Sequence, residues 1–310
     1  MMKSLTECVI TLLVTVGIIT SNTLIFLVIV WTDSLRNINK IYFCSLTVAD
    51  LCIGLFITPF AVISSFGEDS IHFDVVFCHF EAYFLVVFFI AGIYSLAWIS
   101  VDHYLFIRKP QRHKVAMTTA RSLCWIAFVW IAAISFCSPP LFSFDRATYY
   151  EDVCLCSIFA GPQKPYFVTA GLLVLLPAIV ALTVTNGYLF TSKFRKTRHM
   201  YETVLLDTAS RPKNYFMNFI VTMVLVISWI PWLVLQIYGV LIEEITDFPH
   251  SIHFYLLWFG IGSSFYKFFV YLWSQDFRRG LKQLCGHSEC RCPDCVPNRG
   301  TALITLNGAK

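Results

Sequence analysis

Apolar positions in this chain fall into seven long runs, at about 8–31, 41–65, 75–106, 121–143, 166–194, 214–242 and 252–274. Charged residues are nearly absent from the runs and gather between them. Each run meets the requirement of about 20 apolar residues for a helix crossing a hydrocarbon layer of about 30 Å. The pattern predicts seven membrane-spanning helices over 8–275, with a short extracellular N-terminus at 1–7. An amphipathic segment at 276–285 and a cysteine-rich tail at 286–310, expected to be flexible, follow on the cytoplasmic side.

Composition strengthens this reading. Of 310 residues, 57% are hydrophobic and only 14% charged, and 29 are phenylalanine. A soluble domain of this size could not cover so much apolar surface with so few charges, so the chain is placed among membrane proteins.

Charge placement then sets the orientation, because lysine and arginine favour cytoplasmic connections. Arg36 and Lys40 follow the first run, Arg108, Lys109, Arg112 and Lys114 the third, and Lys193, Arg195, Lys196 and Arg198 the fifth. The connections after the second and sixth runs carry Glu68, Asp69, Asp74, Glu243, Glu244 and Asp247, with no lysine or arginine. The N-terminus is therefore outside and the C-terminus inside. No cleavable signal peptide is apparent, and the first run serves as its own insertion signal. A large N-terminal ligand-capturing domain, a nucleic-acid partner and a cofactor are not expected.

The motifs inside the runs add specificity. "LTVAD" ends in Asp50, Cys78 opens the third run, "SVDHYLFIRKP" closes it, and Trp130 and "PPLF" occupy the fourth. Pro177 lies in the fifth run, "SWIPW" in the sixth, and "FVYLWSQDFRRGL" closes the seventh. In this order and spacing, over roughly 8–285, they resemble the rhodopsin-like (class A) G-protein-coupled receptors, with the wording of an orphan-type member. The resemblance implies an all-α, seven-helix bundle in the plasma membrane. It also implies a receptor that is not an enzyme and that passes an extracellular signal, or basal activity, to heterotrimeric G proteins.

Residue by residue, the resemblance implies a disulfide from Cys78 to Cys156, with Cys154 as competitor. Phe277, Arg278 and Leu281 match the family's interfacial helix, apolar face down and arginines toward anionic headgroups. Asp50 matches the carboxylate that helps hold a sodium ion. Its usual partners have changed: Gly92 stands for a serine, Lys267 for the asparagine of Asn-Pro-x-x-Tyr and Phe268 for its proline, while Tyr271 is retained. Lys267 either pairs with Asp50, which is cheaper than two isolated intramembrane charges, or snorkels to the cytoplasmic interface.

Asp102, His103 and Tyr104 occupy the Asp-Arg-Tyr motif, with a shorter imidazole in place of the guanidinium fork. Thr185 replaces a supporting tyrosine, with Tyr188 nearly a turn later, and Arg211 stands where many relatives carry an acid. Arg195, Lys196, Pro231 and Tyr271 complete the expected coupling set, and Trp229 with Pro231 keeps the family's toggle and proline in the sixth run.

The implied ligand pocket is aromatic and aliphatic: Leu85, where amine receptors carry aspartate, with Phe88, Phe89, Trp229, Trp232, Leu257 and Trp258. Thr169 and Gln236 are its polar candidates. A small apolar or lipid-like ligand is expected, or the second outer loop fills the cavity itself. Ile261 stands at the opsin Schiff-base position, which argues against retinal. In the tail, Cys285 is an acylation candidate, ahead of zinc binding by Cys285, His287, Cys290, Cys292 and Cys295 or of inert thiols.

The main rival is a non-coupling receptor of the same fold acting as scavenger, partner subunit or scaffold. An intramembrane hydrolase would need clustered histidines within the runs and a transporter paired broken helices, and the sequence shows neither.

Overall fold

The computed structural model describes residues 5–31, 37–66, 75–138, 148–150, 153–157, 164–194, 212–241 and 250–284. Arg195, Lys196, Arg198, Arg211, Cys285 and the 286–310 tail lie outside them.

Helix α1 (Leu5–Trp31) is the first span, and α2 (Asn37–Phe56) with α3 (Thr58–Phe66) forms the second. Pro59 has no N–H for the carbonyl four residues back, so regular helix breaks beside it. Phe60 N–H reaches Ile57 instead, at 3.2 Å. The central helix is α4 (Val75–Arg108), which touches α2, both short strands of the outer hairpin and each of the four helices that come next in the chain. Short α5 (Pro110–Ala116) follows it, and then α6 (Thr119–Cys137), whose first turn is capped by Thr118 accepting from Arg121 N–H. The fourth run was expected to reach 143, but α6 stops two residues before Pro139, because a proline disfavours helix at the residue preceding it.

Strands β1 (Thr148–Tyr150) and β2 (Leu155–Ser157) pair antiparallel, with Tyr149 opposite Cys156. Helices α7 (Lys164–Phe194) and α8 (Pro212–Leu241) contain Pro177 and Pro231. Helix α9 (His250–Leu272) packs against both α8 and α1, closing the ring.

By length and composition, α1, the α2–α3 pair, α4, α6, α7 and α8 are apolar enough to cross a membrane. The seventh span, α9, is long enough at 23 residues, or about 34 Å. Its hydropathy is diluted by Ser263, Ser264 and Lys267, which are buried rather than turned outward. Leu13, Phe128, Ile131, Leu173 and Ile227 are instead exposed, the apolar surface that lipid requires.

The interior is filled by Ile18, Tyr42, Ile57, Val87, Leu96, Ile99, Phe254 and Trp258. Buried polar groups find partners between helices: Trp130 Nε1 donates to Ser45 at 3.0 Å, and Ser45 meets Ser95 at 2.8 Å. Helix α10 (Gln275–Leu284) follows after a two-residue break. The Ser274 hydroxyl accepts from Phe277 N–H at 3.4 Å, and the Phe277 ring sits 6.1 Å from both Phe268 and Tyr271.

Candidate functional site

Asp50 lies thirteen residues into α2, about 20 Å along the helix axis. Lys267 reaches it from α9, and the two form an ion pair. Asp50 is 6% exposed and Lys267 5%, so the ammonium points inward and does not snorkel. Ser264, one turn before Lys267, donates to Asp50 Oδ1 at 2.6 Å, and Asn22 of α1 donates to the Ser264 carbonyl at 3.0 Å. Three helices are thereby tied at one buried charge. A Cβ on Gly92 would meet its nearest neighbour, Leu46, at 3.8 Å, so the missing serine leaves space beside the pair.

Around the pair, a cavity of about 30 Å³ is lined by Leu85, Phe88, Phe89 and Trp229 on its outer side and by Leu46, Leu96 and Val221 on its inner side, with Asp50 and Lys267 in its wall. This is room for water, not for a lipid-sized ligand. Phe89 stacks obliquely on Trp229 at 4.4 Å, Trp232 lies edge-on to Trp229 at 5.8 Å, and the Trp229 indole N–H donates to Ser263 at 3.2 Å. Gly260 makes this approach possible, because a Cβ there would come 3.0 Å from the indole.

Trp232, Gln236, Leu257 and Trp258 do not line the cavity, although the last three are buried. Thr169 is exposed. It lies six residues, or about 240° of helical turn, before the buried Leu175, and so off the inward stripe of α7.

The second outer loop explains why the mouth is closed. Val153, Cys154, Leu155 and Cys156 are all buried. Cys156 is bonded to Cys78, and Cys154 stands outside that disulfide. Trp258 Nε1 donates to the Val153 carbonyl at 3.1 Å, and Ser64 donates to the Cys154 carbonyl at 3.2 Å. Cys154 sits at φ 58°, the left-handed region a side-chain-bearing residue seldom occupies, as the chain turns beneath the mouth.

At the cytoplasmic end, Asp102 and His113 are both buried and meet at 2.7 Å, fastening α5 under α4. His103 is buried beside them. Tyr104 packs edge-on against Tyr188 at 5.1 Å, with the Arg108 guanidinium 5.7 Å from the Tyr188 ring.

One turn inward, Ser100 accepts from Asn218 of α8 at 2.7 Å and from Asn186 of α7 at 3.3 Å; Asn186 also donates to Thr222 at 3.4 Å. Sequence reasoning missed His113, Ser100, Asn186 and Asn218. Buried amides at helical spacing were the available signal, and only a partner across the bundle gives such residues a meaning.

A seven-helix bundle with a disulfide-bound outer hairpin and polar contacts at its cytoplasmic end defines the class of seven-transmembrane receptors. The chain belongs to the 7 transmembrane receptor (rhodopsin family), matching over residues 21–271. It is similar to G protein-coupled receptor 161 of Bos taurus, 26% identical over 64% of this chain and 38% of that receptor's length. It is also similar to the Substance-K receptor of Mus musculus, 24% identical over 85% of this chain and 71% of that receptor. A third likeness is to Octopamine receptor 1 of Lymnaea stagnalis, 31% identical over 46% of this chain and 22% of that receptor. Family and apolar helices together make it a multi-pass plasma-membrane protein.

Proposed function

We infer that this receptor signals to heterotrimeric G proteins through the cytoplasmic ends of α4, α7 and α8, at a basal level set by its own outer hairpin. The observation that carries this is the uncharged contact at Ser100. Asp102 is engaged with His113 of α5, so the bonds from α4 to α7 and α8 described here are neutral. A neutral hydrogen bond contributes about 1 kcal/mol, less than a charge-assisted one. Pro231 also removes one backbone hydrogen bond within α8, which favours the outward swing that opens such bundles.

Expression without added ligand, followed by second-messenger measurement, tests the reading. Asn218→Leu should raise the basal signal about fivefold, the factor for about 1 kcal/mol taken from the closed state. Neutralising Arg195, Lys196 and Arg198 together should depress the signal at equal surface expression. If neither substitution moves it, the chain is a non-coupling receptor of this fold, a scavenger, partner subunit or scaffold.

A further inference from the structure

Leu85 stands where amine receptors of this family carry a carboxylate, so the family's usual counter-ion is absent. One turn outward on the same face of α4 stands Glu81. Four residues of helix place one side chain above the other, about 6 Å along the axis. The stripe continues inward through Phe88, Phe89 and Gly92, which line the cavity.

Glu81 is 5% exposed. Its Oε2 accepts from Cys156 N–H at 3.4 Å, while Oε1 is buried with no hydrogen-bond partner among the described residues. The ion pairs described here involve Asp102 and Asp50, not Glu81. A buried carboxylate oxygen left without a donor or a cation is costly, and such groups are normally paired. In sequence, the two outer connections that precede α4 and α9 carry Glu68, Asp69, Asp74, Glu243, Glu244 and Asp247, with no lysine or arginine. An outer face with that charge balance attracts cations.

We propose that Glu81 anchors a ligand through a cationic nitrogen, an ammonium or guanidinium, whose apolar body takes the volume held by Val153–Leu155. The disulfide keeps Cys156 in place while the turn before it is displaced. This anchor sits one turn outward of the amine receptors' position, and it replaces the expectation of an apolar or lipid-like ligand drawn from Leu85. It rests on the receptor reading, but not on coupling. A small amine and a basic peptide side chain share the required chemistry.

The test is thermal unfolding of the purified full-length receptor, titrated with 2-phenylethylamine and with its neutral N-acetyl derivative. A second arm uses a capped Phe-Arg dipeptide and its uncharged Phe-citrulline counterpart. At least one cation should raise the unfolding midpoint, its neutral partner should not, and the responding arm identifies the source. Glu81→Gln, which keeps an acceptor for Cys156 N–H and removes the buried charge, should not lower the ligand-free midpoint and should weaken apparent affinity at least about tenfold. Glu81→Asp should restore part of the response. No shift with either cation, or equal shifts in the parent and Glu81→Gln proteins, overturns the proposal. Binding without any second-messenger change would retain the Glu81 site and remove the coupling reading.

Discussion

Asp50→Asn alone should cost the receptor about 3–5 kcal/mol, the usual penalty for breaking a buried pair from one side. The Ser264 hydroxyl keeps an acceptor in this variant, whereas the Lys267 ammonium is left buried without an anion. Lys267→Asn should hurt less. Asp50 then keeps its bond from Ser264, and the adjoining cavity of about 30 Å³ can admit water or a sodium ion to offset the charge.

The double change to asparagine should recover much of the loss, as coupled neighbours do in a double-mutant cycle. The parent receptor should be indifferent to sodium, because the lysine ammonium occupies the ion's place. Unfolding midpoints of all four proteins, in sodium chloride and in N-methylglucamine chloride, decide the matter. Additive single effects would mean that the pair contributes nothing as a pair.

Cys78→Ser should cost about 2–5 kcal/mol, the range for removing a native disulfide from a protein that depends on it. The bond closes a span of 78 residues and holds the hairpin end nearest α4. Without it, the bonds from Trp258 and Ser64 remain, but each contributes only about 1 kcal/mol. The expected phenotype is a lower unfolding midpoint together with a basal signal shifted from the parent level at matched surface expression. If both are unchanged, the hairpin is held by its hydrogen bonds and packing alone, and the disulfide is incidental to it.

Spans were legible because lipid imposes length and apolarity on each helix locally. The six spans other than the fourth begin and end within four residues of the apolar runs. The fourth failed at one end because hydropathy does not register what Pro139 and Pro140 do to helix geometry. Asp50 and Lys267 were legible as a pair because two buried opposite charges have few other fates.

The pocket was legible only in part, through Leu85, Phe88, Phe89 and Trp229. Trp258, Leu257 and Gln236 have the composition of a ligand wall, yet Val153–Leu155 reach the same depth and hydrogen-bond Trp258. Whether a loop folds inward depends on its fit to the mouth, which no local pattern encodes. Asp102 could be named as functional, but its partner His113 lies on a different helix and in no motif.

One consequence follows from the aromatic clip at the membrane exit. Phe277 is held against Phe268 and Tyr271, and Ser274 both donates its N–H to the Tyr271 carbonyl at 2.9 Å and accepts from Arg278 N–H at 3.1 Å. The last span and α10 therefore turn as one bent lever, with its fulcrum at Trp273 and Ser274. Any rotation of Tyr271 sweeps Arg278 and Arg279 sideways across the inner leaflet, where each basic residue is held by about 1 kcal/mol of attraction to anionic headgroups. Inner-leaflet charge is thus a brake on the movement of α9, strongest where anionic lipid is densest.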